Sequence, residues 1–222
     1  MRHIAARINA WKRFLKGYYS FGVALQCMLP ARFRSFTELE LEIVICNQYH
    51  VELIKPDATV VDAGANVGVF SILAAQTHPD ARILAFEPTP ETFVKLVENT
   101  KGYKNIECFH VALGDENKMA SIIEEKECET NHIGEGGTPV EMKTIDSLGI
   151  KMDFLKMDTE GCEARILKGA AETIKTNKPV IVMSAYHHPE DKEALPNILN
   201  GIAPYGCTLE FKVEEDFICM PQ

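Results

Sequence analysis

The chain has 222 residues, 46% of them hydrophobic and 25% charged, enough to bury one substantial core with some accessory structure. Its net charge of −9 speaks against a nucleic-acid partner held on a broad basic surface, because phosphate binding needs clustered Lys and Arg.

Residues 1–37 carry seven Lys or Arg and no acid, leaving all 32 Asp and Glu to the remainder. Within this segment Ile4, Ile8, Trp11, Leu15 and Tyr18 recur at helical spacing, with Arg7, Lys12, Arg13 and Lys16 on the other faces. Such a helix either docks on its own domain or meets a partner or a membrane surface, a peripheral contact through residues 1–37. The apolar run from Gly22 to Leu29 is too short to span a bilayer. Residues 38–55 read as a second helix closing at Pro56, so residues 1–55 form a helical extension and 56–222 the main domain. The seven cysteines form no C-x-x-C pair, and reduced thiols in a cytoplasmic protein are the simplest reading.

From residue 57 short apolar runs alternate with amphipathic segments, the pattern of a mostly parallel sheet with helices on both faces. Strands are expected at 59–62, 82–86, 106–111, 154–157 and 180–184, and helices near 68–77, 90–100, 162–176 and 190–202. Residues 208–213 and 216–220 suggest a closing antiparallel hairpin. Between the third and fourth strands, 118–123 and 140–145 look like further strands around the polar, glycine-containing stretch 128–139, read either as a mobile flap or as a plain surface loop.

The chemistry begins where the first strand ends, at Asp62-Ala-Gly64-Ala-Asn66-Val-Gly68. A glycine-rich turn between strand and helix lets a ligand approach the backbone where a Cβ would block it. The carboxylate of Asp62 suits a ligand with a cationic ammonium group and would repel a pyrophosphate. The dinucleotide fingerprint G-x-G-x-x-G would need glycines where Asn66 and Val69 stand. Glu87 ends the second strand, where a carboxylate can accept both hydroxyls of a ribose.

The runs VVDAGANVGVFSILAA, AFEPTPETFVKLVEN, VALGDE, KTIDSL and DFLKMDTEGCEARILKGA together resemble the FkbM-type methyltransferases over roughly residues 50–190. The resemblance implies a Rossmann-like class I fold, S-adenosyl-L-methionine as cofactor, and O-methylation of a hydroxyl on a sugar, a glycan or a small natural product. It places the methionine end of the cofactor near Asp62, Gly64, Asn66 and Gly68, the ribose on Glu87, and the adenine by Val111 and Ala112. Two residues depart from the family pattern: Thr89 stands where Asn is common, and Ser184 where many members carry Glu. The second departure shifts acid–base work elsewhere.

Asp158, Glu160 and His187 are the candidate catalytic residues, on loops after the fourth and fifth strands. Methyl transfer to a hydroxyl needs its proton removed or polarised and its oxygen aligned, work suited to a carboxylate or an imidazole. Asp158 and Glu160 also suit a helix cap, and His187 with His188 also suits a polar loop. Asp158, Glu160 and His187 offer a possible Mg²⁺ site, yet the main reading assigns no metal. Cys162 reads as a packing residue. Two other functions stay open, an NAD-type oxidoreductase on a related sheet and a non-catalytic cofactor-binding or membrane-associated module.

Overall fold

In a computed structural model of the chain, residues 43, 47–123, 132–133, 137–211 and 214–222 are described. The helix expected within residues 1–37, most of the one expected over 38–55, and much of the stretch 128–139 lie outside the described residues. The end of the second helix is corrected: residues 47–54 are turns with one 3-10 turn at Val51–Leu53. Asn47 and His50 each adopt the left-handed region, φ 52°, which a continuing helix excludes. The Asn47 side chain instead accepts the N–H of Val51 at 3.2 Å.

The strands are β1 (Thr59–Ala63), β2 (Arg82–Phe86), β3 (Ile106–Phe109), β4 (Ala112–Leu113), β5 (Lys118–Ile123), β6 (His132–Ile133), β7 (Thr138–Lys143), β8 (Phe154–Met157), β9 (Val180–Ser184), β10 (Tyr205–Phe211) and β11 (Glu215–Pro221). The helices are α1 (Val69–Thr77), α2 (Pro90–Thr100), α3 (Ile145–Leu148), α4 (Glu163–Gly169), α5 (Ala171–Asn177) and α6 (Asp191–Ile202). Seven strands form the main sheet in the order β10-β11-β9-β8-β1-β2-β3. The five strands from β9 to the β3 edge are parallel, and the closing hairpin at the other edge is antiparallel. The expected Rossmann-like α/β sheet is therefore present. The expected strand at 118–123 is β5 of a second sheet, β4-β7-β5-β6; the one expected at 140–145 is β7, shifted to 138–143, because Thr144 caps α3 and Ile145 begins it. The single helix expected over 162–176 divides at Ala170, whose φ of −113° and ψ of 10° leave the helical region.

Period-two alternation explains how the main sheet holds two apolar layers at once. Val60, Ile83, Phe154 and Val182 face one side, with Phe70 and Ala74 of α1 and with Tyr49, Val51 and Ile54. Val61, Leu84, Leu155, Ile181 and Met183 face the other, with Ile166, Leu167, Ile174, Leu195 and Leu199 of α4, α5 and α6. No helix among the described residues is long and apolar enough to cross a membrane. The expectation of free thiols throughout is also corrected: Cys207 and Cys219 stand opposite each other in the β10–β11 register and are joined by a disulfide, while Cys108 and Cys162 are free. Antiparallel pairing alone brings the two together across twelve residues of sequence, a closeness that no local spacing announces.

Asp216 of β11 pairs in register with Ser184 of β9, is only 3% exposed, and accepts the Ser184 hydroxyl at 3.1 Å. Burial, reinforced by the charge of Asp158, pushes its carboxyl up to about 7, against the hydrogen bonds from Ser184 and Gln48. A raised folded-state pKa contributes stability below the unfolded value, and that contribution is lost as pH rises through about 7. Asp216→Asn should therefore melt at a higher temperature than the parent at pH 8, by a stability difference on the order of a few kcal/mol. The difference should vanish by pH 4, as thermal unfolding across that range would show.

Candidate active site

The chain leaves β1 outward to β2 and β3 and returns to the opposite side of β1 as β8, so strand order reverses between β1 and β8. Open α/β sheets bind ligands beyond the carboxyl ends of strands at such a point. A cavity of about 670 Å³ lies there, within the size range of cofactor sites. Gly64, Asn66, Glu87, Val111, Ala112, Asp158 and Glu160 all line it. Asp62, Gly68 and His187 do not line it.

Asp62 is fully buried behind the glycine turn. Parallel register sets it beside Lys156 on the same face of the sheet, and Lys156 Nζ stands 3.1 Å from Asp62 Oδ1. Asp62 Oδ2 accepts the Ser71 hydroxyl at 2.6 Å. Lys156 donates to the Gly64 carbonyl at 2.7 Å and lies over the Tyr49 ring, 4.9 Å from its centroid. Asp62 thus reaches the cavity only through the backbone that Lys156 pins. Gly68 caps α1 with φ 94°, and a Cβ there would press on Leu96 of α2.

Backbone amides of the glycine turn are directed inward. Those of Gly64 and Ala65 donate to the Phe86 carbonyl, that of Asn66 to Glu87 Oε2 at 3.0 Å, and that of Gly68 to the Ala65 carbonyl. Pyrophosphate cradles rely on such amides being open to the ligand, so this turn does not offer a dinucleotide nest. Glu87 Oε1 accepts the Thr89 amide at 2.8 Å. Burial raises the Glu87 carboxyl, with the amides of Thr89 and Asn66 and the charge of Lys156 opposing. Held at both oxygens, it presents its remaining lone pairs to the cavity.

Across the cavity, Asp158 accepts from Tyr49 at 2.6 Å, Tyr186 at 3.1 Å and His187 Nε2 at 3.1 Å. Burial would raise its carboxyl, but the His187 hydrogen bond, the charge of Lys156 and the Tyr49 hydroxyl together hold it well below the usual range. Burial likewise opposes protonation of His187, and the carboxylates of Asp158, Glu163 and Glu160 outweigh it, lifting the imidazole to about 9. His187 is then cationic at neutral pH and donates, which leaves it poorly suited to accept a proton. Glu160 is half-buried, and burial with the charges of Asp158 and Glu163 raises its carboxyl against the pull of His187. His188 holds the turn into α6, its N–H donating to Asp191 Oδ2 at 2.9 Å. Burial pushes the Cys162 thiol up to about 11, keeping it protonated.

Tyr49, Lys156 and Glu163 escape sequence reasoning. Tyr49 meets Asp158 across 109 positions of chain, and no local spacing predicts that contact. Lys156 shows a signal only in hindsight: a lone Lys inside an apolar strand needs a buried partner.

Residues 62–206 match the methyltransferase FkbM domain. Among curated proteins, the chain is 28% identical over 174 residues to Methyltransferase sdnD of Sordaria araneosa, covering 59% of this chain and 67% of that protein. It is 26% identical over 176 residues to the 2-O-methyltransferase NoeI of Sinorhizobium fredii, covering 66% and 72%. The solved methyltransferase FkbM of Methylobacillus flagellatus superposes with a TM-score of 0.58 at 19% identity, over 83% of this chain and 55% of that one. The chain therefore spans about two-thirds of the length of these curated relatives and little more than half of the solved protein.

Lys156→Met should leave Asp62 buried without its cation and cost about 3–5 kcal/mol in chemical denaturation. Adding Asp62→Asn should recover most of that loss. If the single substitution is neutral, the pair does not secure the turn.

Proposed function

Because the chain belongs to the FkbM methyltransferase family, we propose that it transfers a methyl group from S-adenosyl-L-methionine to a hydroxyl oxygen of a sugar, a glycan or a small natural product. The observation that carries this reading is Glu87, buried at the end of β2, fixed by two backbone amides and facing the cavity at the switch point. Its free lone pairs suit a ribose diol. The cavity's volume suits a nucleoside-sized ligand, and the wall formed by Val111 and Ala112 suits the flat adenine. Gly64 and Asn66 form the wall proposed for the methionine end, with Asp62 and Gly68 supporting it from behind.

When bound, the cofactor supplies a methyl group activated on a sulfonium. The chain's own residues align the acceptor and take its proton. Glu160 is the proposed base: its raised carboxyl favours proton uptake, it lines the cavity, and it is held at φ 53°. With the cofactor bound, Glu160 would take up the proton that the acceptor hydroxyl gives up as its oxygen is methylated. Asp158, ionised and fixed by three donors, orients the acceptor and offsets developing positive charge. His187 serves as the cationic donor that keeps Asp158 in place.

Oxygen as the methylated atom draws support from the relative NoeI, a 2-O-methyltransferase. The inward amides of the glycine turn weigh against an NAD-type oxidoreductase, and the ordered Glu87 and Asp158 against a non-catalytic module. The Cys207–Cys219 bridge weighs against the expected cytoplasmic location, because reducing compartments rarely keep such a bond. A membrane contact through residues 1–37 is supported by their positive charge and by the helical spacing of their apolar residues.

Calorimetric titration of the purified chain with S-adenosylhomocysteine should give micromolar binding. Glu87→Ala should weaken it about tenfold or more, and NAD⁺ should give no heat of binding. Silence toward S-adenosylhomocysteine would sink the proposal.

A further inference from the structure

Three carboxylates converge on one imidazole beside the cavity. His187 Nε2 lies 3.1 Å from Asp158 Oδ1 and 3.6 Å from Glu163 Oε1, and one ligand atom from each of the three residues falls within 4.8 Å of the others. The topology brings them together: Asp158 follows β8, Glu163 begins α4, and His187 follows the adjacent parallel strand β9. We infer that Asp158, Glu163 and His187 form a site for a divalent first-row transition-metal ion.

Spacing is the first support. Nitrogen and oxygen ligands at about 2.0–2.2 Å from one ion stand roughly 3.0–3.6 Å apart when adjacent in its coordination shell. Both His187 distances lie in that range.

Glu163 supplies an independent reason. Its side chain is 1% exposed, and Oε1 accepts the Thr159 amide at 2.7 Å and the Thr159 hydroxyl at 2.9 Å. Oε1 is thereby occupied; the other oxygen, Oε2, is buried with no hydrogen-bond partner among the described residues and is the atom left for an ion. Buried carboxylate oxygens are ordinarily satisfied by donors or cations, so an orphan oxygen here calls for a partner that the described residues do not supply.

The outer face of the imidazole completes the pattern. Glu160 Oε2 lies 3.4 Å from His187 Nδ1, on the side away from Asp158 and Glu163. A metal-ligating His commonly hands its second ring nitrogen to a carboxylate, which fixes its tautomer and raises its basicity. A metal ion would displace the proton that His187 carries without it, and would set its own charge beside Asp158 and Glu163 in that proton's place.

The donor set indicates the ion. Mg²⁺ prefers oxygen ligands in octahedral geometry, whereas an imidazole with carboxylates suits Mn²⁺, Co²⁺ or Zn²⁺. Because Asp158 also lines the cavity, an ion held by it would lie near the acceptor and would supply polarisation of its hydroxyl. The metal assignment does not depend on the identity of the acceptor or on methyl transfer.

The test is a Co²⁺ titration of the full chain after treatment with a chelator, followed by visible absorption. One Co²⁺ per chain should bind, give ligand-field bands, be displaced by Zn²⁺, and persist in excess Mg²⁺. Glu163→Gln and His187→Ala should abolish the bands, and Glu160→Gln should weaken binding about tenfold. Glu163→Gln preserves shape, and S-adenosylhomocysteine titration of each variant checks that the fold and the cofactor site survive. A parent chain with no ligand-field bands, or bands unchanged in Glu163→Gln and His187→Ala, would overturn the inference. So would a site that takes Mg²⁺ and refuses Co²⁺. Each of these outcomes is separable from a failure to bind S-adenosylhomocysteine.

Discussion

Lys156 brings an ammonium group to the centre of a sheet whose neighbouring positions are apolar, and the fold tolerates it because Asp62 stands beside it on β1. Neither charge has solvent, so each depends on the other. Lys156 has further donor capacity, which goes to the Gly64 carbonyl, and Asp62 takes a hydroxyl from Ser71 on α1. One ion pair thus joins β1, β8, the glycine turn and the first helix. Tyr49 packs against the same ammonium, edge-on to Phe70, and passes its hydroxyl to Asp158. The shape of the cavity wall and the orientation of its most acidic residue both follow from that buried pair.

Four carboxylates near the cavity differ in behaviour because their surroundings differ. Glu87 is held by backbone amides, Asp158 by two tyrosines and a histidine, Glu163 by one threonine, and Glu160 by an edge of imidazole. Donors aimed at a carboxylate lower its pKa, while burial and neighbouring negative charge raise it. Asp158 falls on the first side of that balance; Glu87, Glu160 and Glu163 fall on the second. Separation of this kind lets one cavity hold an ionised anchor beside a proton acceptor.

The alternation from residue 57 onward made the main sheet legible, because parallel strands buried on both faces must read as short apolar runs between amphipathic helices. Glu87 was legible for a related reason, since strand ends at a switch point are where ligands bind. Asp62 was harder. A carboxylate before a glycine turn reads as a ligand contact, and only the cross-strand register reveals that Lys156 already neutralises it. Residues 47–54 misled differently: their sequence reads as continuing the preceding helix to Pro56, whereas Tyr49, Val51 and Ile54 are buried from turns. Ser184 hydrogen-bonds the buried Asp216 of the neighbouring strand, a pairing that one strand's sequence cannot display.

Backbone geometry links the two loops that meet at the switch point. Gly64 has φ 72°, and a Cβ there would collide with the Asp158 carbonyl, so the glycine turn permits the β8 loop to lie directly against it. The Asp158 amide in turn donates to the Ala63 carbonyl at 3.2 Å. With its start fixed this way, the loop must reach α4 within a few residues. It does so through Glu160 at φ 53° and Gly161 at φ 89°, with Glu163 tying back to the amide and hydroxyl of Thr159. A left-handed glutamate is strained by about 1–3 kcal/mol and persists only where its surroundings hold it. Here the holding elements are the glycine of one loop and the helix-starting acid of the other. The conformation that aims Glu160 at the cavity is therefore imposed by the crossing itself, and relaxing it would require moving β1, β8 and α4 together.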